Sequence, residues 1–137
     1  MKYAQVIGAV LFFFISGLAY SDTVQEKRVV ATVDADGIQR VEILSGSYFF
    51  DPNYIVVKVN VPVELKVKKE AGVTPHAIVL KAPEAGIDLS ESLSTEPKVV
   101  KFTPTKVGKY PFVCDKRFLF FKSHKDRGME GVLEVVE

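Results

Sequence analysis

Short stretches in which apolar and polar residues alternate recur along most of the chain, and β-branched residues are common in them. Ile38–Leu44 alternates with a period of two, as a strand with one buried face does. Clusters of turn-forming residues, such as Asp34–Gly37 and Asp51–Asn53, separate the stretches. The pattern predicts strands at Val29–Val33, Ile38–Leu44, Tyr54–Val59, Val63–Val67, Ala77–Leu80, Val99–Phe102, Lys109–Val113 and Val132–Val136.

The segment Ala82–Pro97 lacks strand periodicity and is rich in proline, glycine, serine and acidic residues. We expect it to be a long connection with one turn of helix near Ser90–Leu93, because long connections between sheets are ordinary in Greek-key sandwiches. Elsewhere the chain has seven or eight short strands and no sustained helical stripe. The sequence therefore predicts an all-β Greek-key sandwich of mostly antiparallel strands.

The first residues of the chain have the pattern of an export signal. Lys2 provides a positive charge, Val6–Ile15 is apolar and uncharged, and Ala19 and Ser21 are small residues before a cleavage site at Asp22. This arrangement is typical of a secretory signal peptide, which is removed from the mature protein. A retained membrane anchor is the alternative, but the apolar stretch is barely long enough to span a bilayer.

Removal of the signal peptide, residues 1–21, leaves residues 22–137, which have the length of a single domain. The whole chain has 18 basic and 17 acidic side chains, so the two charges balance once Lys2 is removed. No basic stripe indicates a nucleic-acid partner, and no polybasic run indicates binding to anionic lipid. We expect a periplasmic or secreted protein without stable membrane insertion.

The residues that favour soft metal ions are few, and three of them follow one another near the C-terminus. Cys114 is the only cysteine, His124 is one of two histidines, and Met129 is the only methionine besides the initiator. The second histidine, His76, precedes a short apolar run. Thiolate, imidazole and thioether ligands suit copper, and two histidines, one cysteine and a weak axial methionine make up a blue-copper electron-transfer site.

Each of these residues also has an ordinary structural interpretation. A free cysteine is often a small buried hydrophobe, and a methionine often fills a gap in a core. A single histidine on an apolar strand is usually a core residue with its hydrogen bonds satisfied. However, an exported protein with one cysteine cannot form an internal disulfide, so its thiol calls for another role.

Two parts of the sequence resemble the cupredoxin family, which includes plastocyanin and azurin. Together they lie within residues 38–137. The first part consists of Tyr48-Phe49-Phe50-Asp51-Pro52, Ile55-Val56-Val57-Lys58-Val59, Pro62-Val63-Glu64-Leu65 and His76. The second consists of Tyr110-x-Phe112-x-Cys114, His124 and Gly128-Met129-x-Gly131-Val132-Leu133. The resemblance implies one copper ion that cycles between Cu(I) and Cu(II), bound at one end of the sandwich by His76, Cys114, His124 and Met129.

The sequence departs from the family pattern at two places. Nine residues separate Cys114 from His124, where the family usually has two to four. Ala77 stands where the family commonly has an asparagine after the first histidine, so one contact around the ligands is missing or is supplied by another group. The long loop leaves open whether the site is blue, or distorted toward a green or red one.

The loop between the cysteine and the second histidine contains bulky apolar residues flanked by cations, Arg117 and Lys122. We expect Phe118 and Phe120 to fold inward over the metal site. Apolar residues that stay exposed would form an apolar patch with a basic rim, which is typical of a docking surface. Phe118–Lys122 is therefore the predicted docking loop for a redox protein partner.

The function that these residues favour is one-electron transport by a monomer that catalyses no bond chemistry, since weak and transient contacts suit a redox shuttle. The alternative within the same fold is copper storage, delivery or resistance. An enzyme with an open copper position, approached by the carboxylate of Glu130 or Asp126, and a metal-free interaction domain are further alternatives. A binuclear copper centre needs two cysteines, and the chain has one.

Overall fold

The computed structural model describes residues 24–117 and 119–137, which fold into two β-sheets packed face to face. Single turns of 3-10 helix lie at Pro83–Ala85 and Lys125–Arg127. The predicted signal peptide lies outside the described residues. The strands are β1 (Arg28–Val30), β2 (Gln39–Gly46), β3 (Phe49–Asp51), β4 (Tyr54–Lys58), β5 (Val63–Lys69), β6 (His76–Ala82), β7 (Ile87–Leu93), β8 (Lys98–Phe102), β9 (Gly108–Val113) and β10 (Glu130–Val136).

The larger sheet has the strand order β1-β4-β10-β9-β6-β7, and the smaller sheet has the order β3-β2-β5-β8. The pairs β1–β4, β4–β10 and β2–β5 are parallel, and the other pairs of the described residues are antiparallel. The predicted all-β sandwich of mostly antiparallel strands is confirmed. No helix in the described part of the chain is both long and apolar enough to cross a membrane.

The prediction of a long connection at Ala82–Pro97 is wrong. This segment contains β7, which pairs with β6 along its whole length, from His76 opposite Leu93 to Ala82 opposite Ile87. The strand does alternate, but Asp88, Ser90 and Ser92 occupy its exposed positions and Glu91 interrupts its apolar face. Aspartate and glutamate are both depleted in strands. The expected helical turn near Ser90–Leu93 is therefore absent, and the short helix of this region is Pro83–Ala85.

The core lies between the two sheets and is continuous up to the end of the molecule that holds the predicted ligands. Phe112 is buried, and the edge of Phe50 packs on its ring with centroids 5.2 Å apart. Gly131 makes this packing possible, since a Cβ there would come within 2.2 Å of the Phe112 ring. The side chains with the lowest exposure include Ile43, Ile55, Leu65, Ile78, Leu80, Phe112, Met129 and Leu133.

Gln39 is a buried polar residue that fastens the turn between β4 and β5. Its Nε2 donates to the carbonyls of Lys58 (3.1 Å) and Val61 (3.2 Å), and its Oε1 accepts from the Lys58 N–H at 2.6 Å. Its side chain is 0% exposed, so these backbone groups have been taken out of water and depend on the amide.

We expect Gln39→Leu to lower the free energy of unfolding by about 2 kcal/mol, because an apolar side chain leaves buried backbone groups without partners. Urea unfolding of the copper-free protein measures this loss. Gln25→Leu is the matched control, because Gln25 is exposed and its replacement should change the stability little. An equal effect of the two substitutions would contradict the assigned role of Gln39.

Candidate metal centre

The predicted ligands come together because several strand ends lie at the same end of the sandwich. β6 begins at His76, β9 ends at Val113, next to Cys114, and β10 begins at Glu130, which pairs with Val113. β6 and β9 run antiparallel with Val79 opposite Val113. The register therefore brings the first residues of β6 beside the residue that follows β9.

His76 is the first residue of β6, and only 4% of its surface is exposed. Its Nε2 lies 3.3 Å from Ser47 Oγ, while its buried Nδ1 has no hydrogen-bond partner among the described residues. Burial lowers the pKa of His76 to about 4, and the nearby His124 and Lys69 add to the shift. The side chain is therefore neutral at physiological pH and offers a free lone pair, as a metal ligand must.

Cys114 is completely buried, and the backbone holds it on two sides. Its N–H donates to the carbonyl of Met129 at 3.1 Å, and its Sγ accepts a hydrogen bond from the Ala77 N–H at 3.3 Å. Burial raises the pKa of the thiol, and the Ala77 N–H acts in the opposite direction. The Ala77 backbone thus supplies a hydrogen bond to sulfur at the position where the sequence lacks an asparagine side chain.

His124 is 0% exposed, and its Nδ1 lies 3.4 Å from Cys114 Sγ. Burial lowers its pKa, and the positive charge of Arg127 contributes. Its Nε2 is buried and has no hydrogen-bond partner in the described part of the chain.

The nine-residue gap does not move His124 away from the cysteine, because the loop is closed at its base. The His124 N–H donates to the carbonyl of Lys116 at 2.9 Å, and Arg117 and Ser123 form an isolated antiparallel bridge. Between the two bridged residues, Leu119, Phe120 and Phe121 are exposed, and Leu119 has a positive φ of 52°. The effective spacing of the two ligands is therefore short despite their separation in sequence.

Met129 follows the helical turn Lys125–Arg127, and its side chain is 0% exposed. Its N–H donates to the carbonyl of His124 at 3.0 Å, and its own carbonyl accepts from the Cys114 N–H at 3.1 Å. These bonds tie the methionine to both neighbouring candidate ligands. The role of Met129 as the fourth ligand stays a prediction, beside the cluster formed by His76, Cys114 and His124.

The ligand atoms of His76, Cys114 and His124 all lie within 4.8 Å of one another, and all three side chains are buried. Unpaired polar atoms are costly inside an apolar core. A metal ion bound between these atoms would satisfy the orphan Nδ1 of His76. Two neutral imidazoles and a thiol form a soft donor set, so the residues present fit copper.

The expectation that Phe118 and Phe120 fold inward over the site is wrong for Phe120 and stays untested for Phe118. Phe120 was expected to fold over the site but is fully exposed, and Phe118 lies outside the described residues. The aromatic cover comes from Tyr48, in the turn between β2 and β3, whose ring centroid lies 4.9 Å from that of His124. The sequence indicated Tyr48 only as part of the family resemblance, and no signal indicated Ser47.

Comparisons with solved structures agree with this architecture. The metal-binding domain of a Cu(I)-exporting P-type ATPase from Streptococcus pneumoniae is 22% identical with a TM-score of 0.62, and the alignment covers 82% of this chain and 99% of that one. Auracyanin A, a blue copper protein from Chloroflexus aurantiacus, is 21% identical with a TM-score of 0.53, covering 73% and 100%. The periplasmic domain of cytochrome oxidase subunit II from Bradyrhizobium japonicum is 18% identical with a TM-score of 0.54, covering 72% and 83%.

At these identities the structural similarities establish the fold alone. No curated protein matches the chain. The family model of the cupredoxin-like domain matches residues 6–129, which is most of the sequence and begins within the predicted signal peptide. This match includes every candidate ligand. The chain therefore belongs to the family of cupredoxin-like domains.

Proposed function

We propose that this protein is an exported, mononuclear copper protein that carries one electron between redox partners. His76, Cys114 and His124 would bind the ion, and Met129 would be a weak axial ligand. Copper would supply the Cu(I)/Cu(II) couple. The observation that carries the proposal is the buried cluster in which the ligand atoms of two histidines and a cysteine lie within 4.8 Å of one another.

The way in which these side chains are held supports electron transfer. His76 begins a strand, and the backbone of Cys114 is hydrogen-bonded to that of Met129, which is in turn bonded to His124. Ligands fixed before the metal binds need little rearrangement when the copper changes its oxidation state. Burial also keeps water from the site, so the environment of the sulfur can tune the reduction potential.

The remaining parts of the proposal concern the state of the mature protein. Residues 1–21 would be removed on export, residues 22–137 would form the single domain, and the protein would act in the periplasm or outside the cell. It would be a monomer and would catalyse no bond chemistry. The low pKa values of both histidines fit this role, because neutral imidazoles are ready to bind metal without first losing a proton.

A Cu(II) titration of residues 22–137 tests the site. We expect an intense thiolate-to-copper absorption band that saturates at one equivalent, because the cluster has a single sulfur anion to donate charge. Cys114→Ala should abolish the band, and Met129→Leu should keep it with a shifted position, since an axial thioether is a long and weak ligand. A wild-type protein without the band would overturn the electron-carrier proposal.

The affinity for Cu(I) should increase with pH. The raised pKa of Cys114 means that the thiol is protonated in the copper-free protein, and binding must displace this proton. Because both histidines are already neutral, one proton is released, and the apparent affinity should rise about tenfold per pH unit between about pH 7 and 8.5. Competition with a chromophoric Cu(I) chelator measures the slope. A slope near zero would show that the thiolate is not a ligand.

Copper storage or delivery is the second candidate function, and one observation favours it. Cys114, His124 and Met129 all follow β9 in one connection to β10, so movement of a single segment would release three ligands together. The experiment that separates the two functions is a chelator challenge of the reduced protein. Stable, reversible redox cycling supports an electron carrier, whereas rapid loss of Cu(I) supports delivery.

The exposed tip of the insert is the proposed docking surface for a redox partner. Leu119 is 67% exposed, Phe120 is 101% exposed and Phe121 is 55% exposed. Four cations flank this tip in the sequence, and they are Lys116, Arg117, Lys122 and Lys125. A partner with an apolar surface and an acidic rim would complement it.

We expect Phe120→Ser to leave the copper spectrum unchanged and to slow electron transfer to a soluble haem protein with an acidic face, used as a probe. The rate should also fall as the salt concentration rises, because the basic rim attracts the probe. Stopped-flow kinetics measure both effects. Val99→Ser is the matched control, since Val99 is an exposed apolar residue on β8. Equal rates for the wild-type protein and Phe120→Ser would contradict docking at this loop.

A further inference from the structure

The turn between β2 and β3 touches both candidate histidine ligands through two consecutive residues. Ser47 Oγ lies 3.3 Å from Nε2 of His76, and the ring of Tyr48 lies 4.9 Å from the ring of His124, tilted by 56°. The two histidine rings are 5.0 Å apart. One short turn therefore contacts both histidines of the candidate metal centre.

The two histidines differ in the hydrogen bonding of Nε2, the ring nitrogen that the proposed site does not use for the metal. A metal-bound histidine usually donates its second N–H to a carboxylate, a carbonyl or water, which fixes the ring. Ser47 gives His76 such a partner. Nε2 of His124 has none among the described residues, although it is fully buried. On this side the ring of His124 is held by contact with Tyr48 and His76, while its Nδ1 faces Cys114 Sγ.

Tyr48 is itself held in place from outside. The guanidinium of Arg127 lies 4.7 Å from the centroid of the Tyr48 ring, in the range of a cation–π contact. Arg127 belongs to the helical turn between His124 and Met129, so the residue that holds the tyrosine comes from the ligand loop itself. Exposed Arg127 therefore contacts Tyr48, and Tyr48 contacts the buried ring of His124.

We propose that Ser47 and Tyr48 are positioning residues of the metal centre, and that Tyr48 is the cover that keeps external ligands from the copper. Ser47 fixes the ring of His76, leaving its Nδ1 toward the metal. Tyr48 fixes the ring of His124 and closes its face to solvent. The inference rests on the proposed copper site for its second half, while the positioning of the two rings concerns the protein without metal as well.

The first test uses copper-loaded protein and imidazole as a neutral external ligand, followed by the visible spectrum and by electron paramagnetic resonance. Tyr48→Leu should bind imidazole more tightly than the wild-type protein, because the smaller side chain no longer covers the ring of His124. Tyr48→Phe keeps the ring and should behave as the wild-type protein does. Phe102→Leu is the control, because it removes a partly buried ring far along the sheet from the site. Phe102 pairs with Val63 at the start of β5, whereas Lys69, which is near His76, lies at the end of β5.

Two further variants avoid changes to the packed ring. Arg127→Gln, at an exposed position, should admit imidazole more readily than the wild-type protein but less readily than Tyr48→Leu. Ser47→Ala should lower the affinity for copper by about tenfold and leave the binding of imidazole unchanged, because Ser47 contacts the other histidine. Ser90→Ala, at an exposed serine on β7, is its control.

The second test uses copper-free protein, so that a failure of the copper proposal is recognised separately. Nuclear magnetic resonance of the histidine side chains should show the His124 ring protons shifted by the tyrosine ring current in the wild-type protein and in Tyr48→Phe, and unshifted in Tyr48→Leu. Ser47→Ala should change the ring nitrogen signals of His76 alone. Unchanged His124 signals in Tyr48→Leu, or imidazole binding no tighter than that of the wild-type protein, would overturn the positioning and covering roles.

Discussion

The arrangement of this protein depends on placing three polar side chains, two imidazoles and a thiol, in an apolar interior without a full set of hydrogen bonds. Burial keeps both histidines neutral and the thiol protonated, because the interior disfavours every charged form. Each unsatisfied atom there costs free energy that the rest of the core must offset. A metal ion that binds these side chains would satisfy their free atoms and would stabilise the folded state.

The sheet registers explain why the cluster forms where it does. β6 and β9 meet with Val79 opposite Val113, so the amide of Ala77 comes within hydrogen-bonding distance of the Cys114 sulfur. β10 returns beside β9 and places Met129 against the backbone of Cys114. His76 and Cys114 are therefore positioned by the register of the larger sheet, whereas His124 and Met129 are held by backbone hydrogen bonds within the connection from β9 to β10.

The sequence predicted most of the strands because their buried and exposed residues alternate, and it failed where that signal was concealed. In β7 the outward positions are Asp88, Ser90 and similar residues that suggest a loop, and only pairing with β6 shows the strand. The convergence of His76, Cys114 and His124 was implied by the resemblance to the cupredoxin family, whereas the contacts of Ser47 and Tyr48 depend on how one turn folds against another sheet. Tertiary contacts of that kind leave no periodic trace in a sequence.

The bridge between Arg117 and Ser123 and the hydrogen bond from the His124 N–H to Lys116 close the ligand loop at its base. The segment enclosed by the bridge can therefore vary in length and composition during evolution without a change in the spacing of the ligands. Under the proposed docking role of that segment, mutations there would alter which redox partners bind and would leave the ligands of the metal centre unchanged. The choice of partner and the binding of the metal could then evolve independently within one short loop.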